Sequence, residues 1–496
     1  MGTLIEQLSG WASTLRVDDV PERVRALTVS QLLGHLGALF AGARHSTGRR
    51  LLSLGAPLGD DAAQSAYVTA ALTMLLDFDD TVFAGHVSHS AAGVPLAYAR
   101  CAELDGERLL LSVLAATEVA ARVTAAATLG PFRGQTAAHT HLAGAVTGRC
   151  MAESLGAATM VDALGLAFAQ PPWSLNHAFF GSDAKLLTAS TPIRTGLDAV
   201  DAARAGLRGA PDLLEHRDGF LARFATTPLP QAIGGLGSRW HTDSLSIKVH
   251  PGCAYIDAAI DAARSLHPRV VDRFDQISSV EVDASIFTVG MEERSAAYLA
   301  GASSGLAALN FSVGYSVACA LLRGGLDVED FEAARVGDGR VWRVAGVVRV
   351  RHDPALSRRA LVAAAPLGAA LRMAGRDGAA WLAGGAGIGE EEALELLGPP
   401  EETFEGAEKA VGARVRVTFA DGGEVSAEVD IPEGGAGPEM RLRHREIACE
   451  KFLRCASPLL GGSQAQDLCA QIEALWGLDA PAVRALLGEL RAGLQA

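Results

Sequence analysis

The sequence predicts a mostly α protein with a smaller α+β domain: a large helical bundle carrying an inserted lid. Three observations carry this. Residues 1–245 are dominated by Ala-, Leu- and Val-rich segments with few charges, and helices this apolar must be covered on most sides. Residues 246–435 change character, with alternating apolar and polar runs set between helical ones, the pattern of half-buried strands. From residue 436 the chain is helical again, so 436–496 reads as returning to the first bundle and 246–435 as the insertion. At 496 residues the chain is too long for one core.

The elements follow in order. Leu4, Leu8, Trp11 and Leu15 fall on one helical face, so the start is an amphipathic helix of the fold and not a secretory signal. Pro21 opens a long helix after the acidic pair Asp18 and Asp19, which is helix-start chemistry. Residues 62–76 make an apolar, Ala-rich helix, and 90–102 and 109–127 make two more. A small-residue helix follows His139 and His141, and its Gly144 and Gly148 permit close helix approach. Lys185 lies between a Gly-Ser-Asp turn and an amphipathic helix near 192–207. In the insertion, 277–290 and 341–354 read as strands, 309–324 as a buried helix, and 413–432 as a hairpin turning at Asp421-Gly422-Gly423. The Gly-rich run 383–389 reads as a loop with a phosphate-loop flavour, without the Gly-Lys-Ser/Thr ending of such a site.

Composition excludes several classes. A net charge of −14 favours neither nucleic acid nor an anionic membrane surface. Aromatics at 5% argue against a stacking platform for single strands. No run of about 20 apolar residues escapes interruption, so no membrane span is expected. The seven cysteines form no Cys-x-x-Cys pair. Without an export signal they read as reduced core thiols of a cytoplasmic protein, with no cysteine metal site.

The chemistry concentrates at Asp77-Phe78-Asp79-Asp80-Thr81. Three carboxylates at the exit of a buried helix oppose the helix dipole, and each is costly to bury unpaired. His86 and His89 follow in a Gly/Ser loop. Acids, a hydroxyl and imidazoles converging there suggest proton transfer, while a helix end with solvated acids has the same spacing.

This motif is joined by His-Ser-Ala-Ala from His89, the helix from His139, and lysine-containing motifs at 181–196 and 247–262. A tyrosine motif at 310–325 completes the set. In this order they resemble the MmgE/PrpD family of 2-methylcitrate dehydratases, cis-aconitate decarboxylases and an iminodisuccinate epimerase. The resemblance implies a helical domain with an α+β lid, a homodimer, and neither metal nor other cofactor. It places the site between the domains, at Asp80, Thr81, His89, His139, Lys185, Lys248 and Tyr315. His86 is an alternative to His89 and His141 to His139, and Cys253 and Asp257 complete the substrate-binding candidates. In such a site the lysines hold carboxylates, an imidazole moves the proton, and Tyr315 donates to a developing enolate. Asp80 orients the imidazole.

Departures from the family pattern redirect the substrate. Many relatives carry His at Thr188, Arg near Ala254 and His at Asp257. Fewer cations grip a tricarboxylate less well, by about 1.5–3 kcal/mol per lost charge-assisted bond. The expectation is a lyase or isomerase acting on a small carboxylate other than 2-methylcitrate. Its substrate has fewer carboxylates, or a neutral or amine-bearing arm near Asp257. The alternative is a non-catalytic or chemically rerouted scaffold that binds a hydrophobic or weakly charged ligand.

Overall fold

The computed structural model describes residues 2–495 apart from 131–133, 136 and 387, with backbone alone at 134, 135, 137, 138 and 384–386. Helix takes 64% of the chain and strand 7%, so the fold is mostly α with a smaller α+β part.

The helical body is built around α1 (Glu22–Arg44), α2 (Ala62–Leu75), α3 (Gly106–Ala126) and α4 (Ala137–Ala152). By length and composition α1 and α3 could each cross a membrane, yet 94% and 100% of their apolar windows are buried inside the body. They are core helices. Two close approaches depend on glycine. A Cβ on Gly144 would collide with Ser90 of the neighbouring segment, which is the approach expected of this helix. A Cβ on Gly37 of α1 would stand 3.1 Å from Lys451 and 3.3 Å from the Phe452 backbone. That contact seats the C-terminal helix 438–460 along α1, so the tail packs on the helical body.

The chain after Asp77 forms the two-residue strand β1 (Asp80–Thr81). Its antiparallel partner is β2 (Ser246–Ile247), with Asp80 opposite Ile247 and Thr81 opposite Ser246. This pairing carries Lys248 to the acidic motif. The approach to β2 is held by Glu118, buried in α3. Its carboxylate accepts from the Thr242 backbone N–H at 2.8 Å, the Thr242 hydroxyl at 2.7 Å and the Arg122 guanidinium at 3.1 Å.

The lid sheet has the order β4-β3-β5-β6. Its strands are β3 (Ile277–Ala284), β4 (Val348–His352), β5 (Ala413–Phe419) and β6 (Glu424–Val429). β4 runs parallel to β3, with Val282 opposite Val350, and β5 antiparallel, with Val280 opposite Val417. β5 buries Ala413, Val415, Val417 and Phe419 in alternation, as a half-covered strand must. The β5–β6 hairpin turns at Gly422, whose φ of 86° glycine alone adopts freely.

Three expected elements differ. Residues 341–345 belong to the helix Gly339–Ala345, not to a strand. The Asp338 carboxylate accepts from the Arg340 N–H and starts a helix whose Val341 and Val344 share the buried face. The β3 run stops at Ala284, and Ile286–Ala296 is a helix entered through Ser285. Residues 383–386 continue the helix Arg376–Ala386 instead of forming a loop. The buried stripe of Ala379, Leu382 and Ala383 holds it, and Gly387 lies outside the described residues.

Candidate active site

The acids at the end of α2 are compensated one by one. The helix ends through Asp77, whose φ of 51° is left-handed, leaving its last carbonyls without helical partners. Side chains from across the chain supply the donors. Lys185 Nζ donates to the Met74 carbonyl at 3.0 Å and Asn310 to that of Leu75 at 3.0 Å. The Gly252 N–H donates to Leu76 at 2.8 Å, and Lys248 Nζ to Asp77 at 2.7 Å. Lys451 Nζ donates to the Phe78 carbonyl. The same lysines neutralise the carboxylates. Lys248 lies 2.7 Å from Asp77 Oδ1 and 3.0 Å from Asp79 Oδ1, and Lys185 lies 3.5 Å from Asp77 Oδ2.

Burial alone would push both carboxyls up. Lys185, Lys248 and His86 reverse this at Asp77 and hold it at about 2. At Asp79, His86, Lys248 and His89 overcome burial and hold it well below the usual carboxylate range. Asp79 is therefore ionised, and His86 Nδ1–H donates to its Oδ2 at 2.8 Å. His89 Nε2 lies 3.2 Å from the same oxygen, and His89 Nδ1 is 2.7 Å from the Thr73 hydroxyl.

A cavity of about 460 Å³ opens beside this network, between the helical body and the lid. His86 lines it, with 28% of its side chain exposed. His89 is fully buried behind Asp79 and does not line it. His139 lines it too, packed at 4.6 Å from the Phe220 ring and 5.0 Å from Phe224, and burial drives it down to about 3. His141 faces the Ser90 hydroxyl at 3.0 Å, away from the cavity. Cys253 lines the wall with its thiol pushed up to about 12, by burial and then by Asp77, which keeps it protonated.

Several expected residues stand elsewhere. Asp80 orients no imidazole: it accepts from Gln31 Nε2 at 2.6 Å and the Ser88 N–H at 3.2 Å. Burial and the neighbouring Asp79 push it up. Asp79 does the orienting, because adjacent residues of an extended chain face opposite ways. Tyr315 is fully buried in the helix Val313–Arg323, donates to the Asp330 carbonyl, and packs at 5.2 Å from Trp342. Its phenol belongs to the lid core and not to the cavity. Lys185, Lys248, Thr81 and Asp257 all lie behind the cavity wall. Thr81 accepts from Lys409 Nζ at 3.0 Å, and Lys409 is drawn down to about 8 by burial and then by Lys248. No arm of a cavity-bound ligand meets Asp257 directly.

Asp257 is the most strained acid of the region. It is buried, its Oδ1 has no partner among the described residues, and burial pushes it up to about 7. A carboxyl raised in the fold contributes stability below its unfolded value near 4, and that contribution is lost as pH rises through about 7. Asp257→Asn therefore gains on the wild type as pH climbs from 4 to 8, by up to about 4 kcal/mol. Urea unfolding at pH 5 and pH 8 measures the gain; equal gain at both values refutes it.

The cavity also holds residues that sequence reading missed. Tyr255 and Phe287 stack across its lid side, with centroids 5.5 Å apart, and Arg294 lines it. Lys451 carried a readable signal. It falls in the stripe Ile447, Lys451 and Cys455, whose other members are apolar and buried, and a lysine at such a position needs a buried partner. Asp79, His86 and His89 place one donor atom each within 4.8 Å of one another, a set that suits a divalent cation. The Lys248 ammonium, 3.0 Å from the same carboxylate, opposes a further positive charge there.

Two family models match the chain, one after the other. The MmgE/PrpD N-terminal domain matches residues 6–232 and the MmgE/PrpD C-terminal domain residues 250–376. The chain belongs to the MmgE/PrpD family, whose members are in general lyases of the dehydratase type. A search of curated proteins found no match.

Proposed function

We propose that the chain is a cofactor-independent lyase or isomerase that removes a proton from carbon beside a carboxylate, on a substrate other than 2-methylcitrate. One observation carries the reading: His86 spans from ionised, buried Asp79 to the cavity. With Nδ1–H held by Asp79, its Nε2 presents a lone pair to bound ligand, the tautomer a general base requires. The C–H bond breaks, its electron pair moves into an enolate, and the proton goes to Nε2. Asp79 stabilises the imidazolium but does not compete for the proton, because Lys248 and the histidines keep it ionised. Tyr255, a protonated phenol in the wall, donates to the enolate oxygen. In dehydration the imidazolium returns the proton to a β-hydroxyl, which leaves as water as the enolate pair forms the C=C bond. In epimerisation the enolate carbon takes a solvent-derived proton on its other face. In decarboxylation the C–C bond breaks in place of the C–H bond and CO₂ leaves. The electron pair left on carbon is then quenched by a proton from the His86 imidazolium.

The experiment is deuterium uptake from ²H₂O into a panel of 2- and 3-hydroxy acids and their unsaturated counterparts, followed by proton NMR. His86→Ala lowers uptake by ~10²–10⁴-fold, Tyr255→Phe lowers it less, and Tyr315→Phe leaves it unchanged. Uptake that survives in His86→Ala contradicts the assignment. Ligand binding without uptake by any variant, the wild type included, favours a binding scaffold.

A further inference from the structure

The charge available to a ligand in the cavity is small. Lys185, Lys248, Lys409 and Lys451 all stand behind its wall, engaged by carbonyls, carboxylates or the Thr81 hydroxyl. Among the described lining residues, Arg294 is the single lysine or arginine. The acid that reaches the cavity, Asp77, is already paired with Lys185 and Lys248, so neither ammonium is free for a ligand carboxylate.

The rest of the wall is apolar. The helix Ile286–Ala296 turns Ile286, Phe287, Gly290, Met291 and Arg294 toward the cavity, one face at helical spacing. An apolar helix face normally meets the core; this one meets open space, with Phe179, Phe180 and Phe311 lining the same cavity. Two lining residues are also exposed large apolar side chains, Ile286 at 48% and Trp381 at 43%. Exposed apolar surface gathered at a cavity marks a ligand site. At about 460 Å³ the space falls in the range of drug-sized ligands, roughly 300–1,000 Å³.

We infer that the substrate is a monocarboxylic acid with a bulky apolar or aromatic arm: the arm lies in the aromatic cleft between lid and body, and Arg294 takes the one carboxylate. This rests on the proton-transfer reading for the reaction but not for the binding. A tricarboxylate would place two of its anionic groups against phenylalanine rings and the already paired Asp77, with no lysine or arginine besides Arg294 among the described lining residues.

The test is calorimetric titration of the full-length protein with 3-phenylpropanoate and with citrate, at equal ionic strength. The expected result is binding of 3-phenylpropanoate at least tenfold tighter than citrate. Arg294→Gln weakens it at least tenfold, and Arg294→Lys restores part of the loss. Phe287→Ala weakens it through the other end of the ligand. Citrate binding as tightly as 3-phenylpropanoate, binding of neither, or indifference to Arg294→Gln overturns the inference. Arg294 is exposed and pairs with no acid among the described residues, so its variants keep the fold. Deuterium uptake is measured separately on 3-hydroxy-3-phenylpropanoate. Arg294-dependent binding with no uptake upholds the ligand class and rejects the proton-transfer reading; uptake into citrate alone does the reverse.

Discussion

Asp79→Asn lowers proton exchange by ~10³–10⁴-fold while the protein stays folded, the size of effect seen when a base loses its orienting carboxylate. The reason lies in one hydrogen bond. Ionised Asp79 accepts from His86 Nδ1–H at 2.8 Å, which leaves Nε2 free to act as base. An asparagine amide donates to Nδ1 instead, moves the ring proton to Nε2, and removes the lone pair that faces the ligand. The imidazolium formed in the reaction also loses its counter-charge. Exchange rates at saturating ligand, beside circular dichroism, separate this from unfolding. Asp80→Asn is the comparison: its carboxyl is pushed up by burial and held by Gln31 and Ser88, so the variant keeps most of the exchange. A larger loss in Asp80→Asn than in Asp79→Asn contradicts the assignment.

Lys248→Met destabilises the protein by about 3–5 kcal/mol, the usual result of removing one partner from a buried ion cluster. Lys248 contacts Asp77 at 2.7 Å and Asp79 at 3.0 Å, and all three side chains are nearly inaccessible to water. Without it, Lys185 at 3.5 Å from Asp77 must serve two buried carboxylates. The deficit depends on pH. Asp77 in the wild type is depressed to about 2. The stability it contributes is thus full above its unfolded value near 4 and is lost as pH falls through about 2. In the variant the depression is gone and protonation relieves the repulsion. The gap to wild type is widest at pH 7 and narrows below pH 4. Urea midpoints across this range report it, and Lys248→Met with Asp77→Asn recovers part of the loss. A deficit independent of pH, or no recovery in the double variant, shows that the cluster is not what Lys248 stabilises.

Much of this was legible in the sequence, and what was not has physical causes. Helix and strand periodicity gave the mostly α fold with a smaller α+β part, because burying an apolar stripe is the same problem wherever the stripe sits. Gly144 announced its close approach, since nothing larger fits there. The clash of three acids with a helix end pointed to buried partners, and Lys185 and Lys248 are among them. Periodicity does not say which wall a side chain faces once the chain turns. Asp79 and Asp80 are neighbours with opposite directions, so choosing between them required the pairing of Asp80 with Ile247. Tyr315 sits in a buried helix that could face the cavity or the lid core, and packing with Trp342 turns it to the core. Phe287 and Arg294 share one helix, but Tyr255 and the residues of the helical body that complete the cavity come from other segments and meet them only on folding.

The central claim is that His86, steered by Asp79, moves the proton at the cavity wall. Chemical rescue tests it most directly. Deuterium uptake by His86→Ala is measured with and without free imidazole, beside Asp79→Asn treated identically. The account predicts that imidazole, filling the space left beside Asp79, restores uptake in His86→Ala and does nothing for Asp79→Asn. Unaltered uptake in His86→Ala before any imidazole is added, or rescue of both variants alike, would contradict it.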